Sequence, residues 1–232
     1  MPMSDKIGIH WFRLDLRLND NPSLQQLSKI VDLVLPIYIF DENIQIGQAS
    51  MCWLEKSLLK LNDELFKLKS RLYVFKGDPK KILDEIINNK NISHVYWNRL
   101  YDKKSIERDK DIKSFLIQKS ITSKTFNGYL LTEPWNIKNK SGSFFKVFTP
   151  FWKTNFELLK DKKLKNISQV KVNFCRKKLT FNEHELKLNI PKKKWMNKIL
   201  SHWEIGEQYA KSKLNNFIKS KLNNYGSGRD RL

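Results

Sequence analysis

The sequence predicts an α/β fold: a doubly wound, five-stranded parallel sheet, then a long linker and the opening helices of a second, all-helical region. Three observations carry this prediction. Through residue 130, short apolar runs alternate with longer segments of helical period. After Tyr129 that rhythm stops and a lysine-rich stretch with Pro134, Pro150 and Pro191 follows. Helical periodicity returns only near residue 200.

Strands are expected at residues 7–11, 32–40, 71–75, 94–97 and 121–126. Asn21-Pro22 marks a helix start, because Asn caps orphan N–H groups and Pro suits the first turn. Residues 50–68 carry Met51, Leu54, Leu58, Leu61, Leu65 and Leu68 at spacings of three and four, one face of a helix. Pro79 opens another helix with Ile82, Leu83, Ile86 and Ile87 inward. A charged helix begins at Ser105, with Asp109, Asp111 and Lys113 expected in solvent beside Ile112, Phe115 and Leu116. Strands joined by helices of this length imply parallel βαβ units and a Rossmann-like sheet, whose ligands lie beyond the carboxyl strand ends. The domain boundaries follow: 1–130 for the α/β domain, 131–200 for a linker and 201–232 for the start of the helical region. The linker holds a few helical turns, including residues 151–159, and the lysine cluster Lys192-Lys193-Lys194. A connector of this length without its own core wraps a neighbouring domain. From Trp203 a helix presents Ala210, Leu214, Phe217, Ile218 and Leu222, and runs into a turn-rich break at residues 223–228.

The 232 residues are 40% hydrophobic, enough for a real core. No apolar run is long enough for a membrane span. The N-terminus lacks the apolar centre of a signal peptide, so a cytoplasmic protein is expected. Cys52 and Cys175 are far apart and unpatterned, which suits two reduced structural thiols. The net charge of +20 is uneven: residues 1–130 hold 21 Lys/Arg against 16 Asp/Glu, residues 131–232 hold 23 against 8. A nucleic-acid partner would account for the basic half. So would the Lys-, Asn- and Ile-rich usage of an AT-rich genome, and charge alone leaves both open.

Phosphate-cradling glycine loops, HExxH and paired CxxC motifs are all absent from the sequence. His10, His94, His184 and His202 share no metal-ligand spacing, and no metal site is expected. No nucleophile–base pair stands out. What remains is an ordered set of aromatic, Arg and Asp positions. Trp11-Phe12-Arg13-Leu14-Asp15-Leu16-Arg17-Leu18-Asn19-Asp20-Asn21 opens it. Pro36-Ile37-Tyr38-Ile39-Phe40-Asp41, then Trp53-Leu54 with Ser57-Leu58 and Leu61, Leu72, and Gly77-Asp78-Pro79 continue it. Tyr96-Trp97-Asn98, Tyr101-Asp102, Arg108-Asp109 and Lys146-Val147-Phe148-Thr149-Pro150-Phe151 follow. Trp203-Glu204, Gly206-Glu207, Ala210, and Tyr225 with Arg229-Asp230 close it.

In that order these motifs resemble the DNA photolyase/cryptochrome family, in its class I-type deoxyribodipyrimidine photolyase form. The resemblance implies light-driven splitting of cyclobutane pyrimidine dimers by electron transfer from excited reduced FAD. It also implies an antenna chromophore in the α/β domain and a helical FAD-binding domain beginning near residue 201. DNA containing pyrimidine dimers is the implied partner, and a monomer is expected. Tyr225 matches a family tyrosine that contacts FAD, and Arg229 an arginine of the DNA-binding face. Arg13, Asp15 and Arg17 are expected to be structural, through bidentate pairs. Asn98 and Tyr101 are expected at the border of the antenna pocket. In folate-antenna relatives an Asn-Glu pair precedes the Arg-Asp; here Lys104 and Ser105 stand there. That departure disfavours folate and leaves a deazaflavin, another pigment or none. The family's phosphate-binding loop and most of its flavin pocket would follow Leu232. No catalytic residue is therefore expected in this chain, which alone should hold FAD poorly and not repair DNA. Two rivals share the pattern: a cryptochrome photoreceptor and a flavin-free antenna-domain module. A generic basic nucleic-acid-binding protein explains the charge but not the ordered motifs.

Overall fold

The computed structural model describes residues 5–42, 46–89, 91–160, 171–176, 186 and 194–229. Met1 to Ser4, His184, Pro191, Lys192-Lys193 and Asp230 lie outside the described residues. Five strands form one parallel sheet: β1 (Ile7–Phe12), β2 (Leu33–Phe40), β3 (Tyr73–Lys76), β4 (Ile92–Asn98) and β5 (Thr122–Phe126). Their order is β3-β2-β1-β4-β5, so the chain reverses direction across the sheet between β1 and β4. Central β1 pairs on both sides, with Trp11 opposite Ile37 of β2 and Trp97 of β4. Its near-continuous apolar run is what burial on two faces requires.

Helices α1 (Pro22–Leu27) and α2 (Gln48–Lys67) cover one face; α3 (Pro79–Asn89) and α4 (Lys103–Gln118) cover the other. Period-two alternation in the strands sorts the core accordingly. Ile9, Trp11, Ile37 and Trp97 pack toward Leu83, Ile86, Ile112 and Leu116. Phe12, Val34, Tyr38 and Tyr96 pack toward Leu24, Leu27, Leu58 and Leu65. Asn21 caps α1 as its residue type dictates, accepting from the Leu24 N–H at 3.2 Å. Helices α2 and α4 end alike, on Lys69 (φ +60°) and Ser120 (φ +58°), each followed by a 6→1 bond back to Leu65 and Leu116.

Several expectations are corrected. Asp109, placed in solvent by the sequence reading, is only 7% exposed. Helix α2 starts at Gln48 and α4 at Lys103, where Asp102 supplies the cap. The second half of the chain holds α5 (Phe148–Lys160), α6 (Lys194–His202), α7 (Glu207–Ser220) and the single turn α8 (Tyr225–Gly228). Trp203 therefore lies between helices rather than at a helix start, and α6 falls in what read as connector.

Part of the stretch expected to be a linker joins the sheet. The Val34 N–H donates to the Asn173 carbonyl, and the Cys175 N–H donates to the Val34 carbonyl, both at 2.8 Å. Residues 173–175 thus lie alongside β2 below the point where β3 begins pairing at Ile37. The Cys175 carbonyl also accepts from Ser70 Oγ at 2.6 Å. Both cysteines are reduced and buried. No helix among the described residues is long and apolar enough to cross a membrane.

Candidate functional site

At the carboxyl end of β1 the chain turns through Arg13, Asp15 and Arg17, and the turn is built from polar contacts. Arg13 Nη1 donates to both Asp109 carboxylate oxygens, at 2.8 and 3.0 Å, and Nη2 donates to the Asn98 carbonyl. The Arg13 N–H donates to Asp15 Oδ1 at 2.9 Å. Asp15 Oδ2 accepts from Asn98 Nδ2 at 2.5 Å and Asn21 Nδ2 at 3.1 Å. Arg17 reaches the Asp20 and Gly128 carbonyls, each at 2.7 Å through Nη2. These contacts agree with the structural role expected of the three charged residues. The Arg13–Asp109 contact runs through one nitrogen, however, rather than through a two-pronged fork.

Burial sets the charge states here. It pulls the His10 imidazole down to about 4, opposed by Asp15, so His10 is neutral near pH 7. It also pulls Arg13 below the usual arginine range, with Asp109 acting against the shift. Tyr38 is pushed up to about 12 by burial, with Arg108 opposing.

Arg108 on α4 extends the network, pairing with Asp41 at 3.2 Å and Asp109 at 3.3 Å. The guanidiniums of Arg13 and Arg108 both stack on the Trp11 ring, 5.1 and 5.3 Å from its centroid. Among the described residues, neither Arg13 Nε nor Arg108 Nε has an acceptor, and the Trp11 indole N–H likewise has none. Asp109 also accepts from Trp97 Nε1 at 2.8 Å. The sequence signal for Asp109 was its spacing: 105, 109, 112 and 116 form one inward stripe of α4, and all four are buried.

Above this network lies a cavity of about 790 Å³, within the range of small-molecule sites. Its floor is Trp11, Arg13, Tyr38 and Asp41, at the carboxyl ends of β1 and β2. One wall is α2, through Ser50, Trp53, Leu54 and Ser57. The facing wall comes from the helical segment: Ile199 of α6, and Ile205, Gly206, Glu207 and Ala210 at the start of α7. Trp53 meets Trp203 edge-to-face across this joint, with ring centroids 6.4 Å apart. Apolar and aromatic walls with charged groups at one end suit a planar conjugated ligand bearing a polar edge.

Other expected site residues fall elsewhere. Asn98 is buried in the polar network beneath, not at the cavity border. Tyr101 turns away and donates to Glu133 at 2.9 Å, beside Trp135. Ser105 is buried in the first turn of α4, its N–H donating to Asp102. Tyr225 is half exposed on α8 and packs edge-on against Phe217, with centroids 5.8 Å apart. Arg229 follows it in solvent. Neither lines the cavity. Helix α5 also faces solvent, with Phe148 stacked on Trp152 at 6.4 Å and Phe148 70% exposed.

The DNA photolyase family model matches residues 8–169. A deoxyribodipyrimidine photo-lyase of Agrobacterium fabrum is 34% identical over 227 residues, covering 96% of this chain and 47% of that protein. The crystal structure of a bacterial class III photolyase from Agrobacterium tumefaciens superposes with a TM-score of 0.87 at 31% identity, over 99% of this chain and 48% of that one. An archaeal photolyase from Sulfolobus tokodaii, described with two FAD molecules and a novel light-harvesting cofactor, gives a TM-score of 0.61 at 29% identity, over 73% of this chain and 38% of that one. The chain spans about half the length of the first two relatives.

Proposed function

This chain belongs to the DNA photolyase family, and from that premise we propose that it supplies the antenna-binding half of a light-driven enzyme that splits cyclobutane pyrimidine dimers in DNA. The observation that carries the reading is the Agrobacterium photo-lyase match, which runs over 96% of the chain and so includes the helical segment. In this reading residues 1–130 form the antenna domain, 131–200 the linker and 201–232 the start of the FAD-binding region.

The cavity fits the antenna chromophore. Its walls offer a flat ring Trp53 and Tyr38 to pack against, while Arg13, Arg17 and Arg108 line the same space as partners for a polar edge. A flavin or deazaflavin suits these walls; the Lys104 and Ser105 departure disfavours folate but lies outside the cavity lining. When bound elsewhere in the complete enzyme, reduced FAD supplies the electron that opens the dimer. The described residues do not enclose a site for that flavin. Tyr225 is the ring this chain would offer it, and Arg229 would face DNA phosphates. The relatives are about twice as long as this chain, and in this reading the flavin site and repair activity draw on that additional length.

The test is repair of a thymine-dimer oligonucleotide under near-ultraviolet or blue light. This chain alone should show none, and the chain joined to a photolyase helical half should restore it. Flavin photochemistry without repair in the joined protein would assign a cryptochrome-type photoreceptor instead.

A further inference from the structure

Among the described residues, the α7 helix meets the α/β domain through its first turn. It has no buried residues, and Leu214 and Ile218 are 56% and 50% exposed. At that first turn, however, Glu207 reaches across to the turn after β1. Its carboxylate accepts the Leu18 N–H at 2.9 Å and the Asn19 N–H at 3.2 Å. Two adjacent backbone donors on a turn of the α/β domain thus converge on one carboxylate of the helical segment. The negative charge also sits at the positive end of its own helix. Gly206, at φ +120° and 3.4 Å from Lys60 by its missing Cβ, lets the chain approach closely enough.

The same turn of α7 is a wall of the cavity, through Ile205, Gly206, Glu207 and Ala210. We propose that Glu207 is a positioning residue for the cavity ligand: its clasp on Leu18 and Asn19 seats α7 as the second wall, so that ligand binding and α7 docking form one coupled equilibrium. This rests on the cavity being the chromophore site. By linkage, whatever factor the clasp adds to ligand affinity, the ligand adds to the docked population of α7. A chromophore in the cavity therefore fastens the helical segment to the α/β domain, in addition to collecting light.

The clasp is specific to a carboxylate. In Glu207→Gln the negative charge is lost, and a single amide oxygen in the place of Oε2 keeps the Leu18 contact but leaves the Asn19 N–H only the longer 3.4 Å one. Lys211, whose ammonium lies 3.1 Å from Glu207 and is 43% exposed, provides a control, since Lys211→Ala keeps both backbone contacts.

The experiment uses FMN as probe, with binding read by flavin fluorescence and α7 seating by hydrogen exchange over residues 203–215. Expected are FMN binding by the unmodified chain, slower exchange in α7 on binding, and affinity at least about 10-fold weaker in Glu207→Ala and Glu207→Gln. Lys211→Ala should stay within about 2-fold. Hydrogen exchange over β1 and β4 should be unchanged in every variant, since no α7 residue belongs to the core around them. Equal FMN affinity in Glu207→Ala, or exchange in α7 that ignores FMN, overturns the coupling while leaving the cavity reading intact. No FMN binding by the unmodified chain overturns the cavity reading and the coupling with it.

Discussion

Replacing Asp109 by Asn should be among the most damaging single-atom changes available in this molecule. The carboxylate accepts from Arg13 at 2.8 and 3.0 Å, from Trp97 at 2.8 Å and from Arg108 at 3.3 Å. The side chains of Arg13 and Asp109 are 5% and 9% exposed, so water cannot take over the contacts. Removing one partner of a buried pair costs about 3–5 kcal/mol, because the remaining charge stays desolvated. Asn keeps the shape and one acceptor, which places Asp109→Asn near the lower end, about 3 kcal/mol, and Asp109→Ala near the upper. That is a large share of the roughly 5–15 kcal/mol that holds a folded domain together. Asp84→Asn is the matched control, because its 2.7 Å pair with Lys119 is over a third exposed on both sides. It should cost less than about 1 kcal/mol. Urea titration followed by tryptophan fluorescence reads both, with an unchanged m-value required for the comparison. Similar losses for the two variants would refute the argument that burial makes the Asp109 network expensive to break.

Four further outcomes are expected. His10 has its folded-state pKa depressed to about 4 from 6.5, so the unfolded chain binds the extra proton between those values and stability falls as pH drops through that window; unfolding free energies from urea titrations should fall by about 1–2 kcal/mol between pH 6.5 and 5, a loss that His10→Asn abolishes. Lys69→Gly relieves a left-handed residue at the end of α2 and should stabilise by about 0.5–1 kcal/mol, seen as a higher thermal midpoint. Gly128→Ala would bring a Cβ within 2.7 Å of Asn98 Cγ and should destabilise by about 1–3 kcal/mol in the same assay. In a complete enzyme, Arg229→Ala should weaken DNA binding about equally across sequences and reduce the slope against log salt by about 1.

What could be read from the sequence was what depends on neighbours in the chain. Asn21-Pro22 specified the start of α1 because a cap and its orphan N–H groups lie within four residues. The apolar runs and helical spacings likewise gave all five strands and the helices between them. The Arg13–Asp109 pair spans 96 residues, and nothing local to either side chain names the other. The charge of Asp109 points to solvent and its place on the inward stripe of α4 points to the core, and the stripe prevails because Arg13, Arg108 and Trp97 satisfy the carboxylate there. The α6 helix was hidden by its lysine-rich approach, although Met196 and Ile199 have helical spacing and Ile199 lines the cavity. The cavity itself draws walls from β1, β2, α2, α4, α6 and α7, so only the folded chain displays it.

The pairing of residues 173–175 with Val34 also bears on how the protein is made. The ribosome delivers β3 by residue 76, yet the segment that covers the lower part of β2 arrives about 100 residues later. At ~5–20 residues per second that is a delay of roughly 5–20 s. Throughout it, the Val34 N–H and C=O present an open edge to other nascent chains, the kind of edge that templates aggregation. Slowed elongation between residues 76 and 175 should therefore lower the soluble yield, and a chaperone that shields strand edges should restore it.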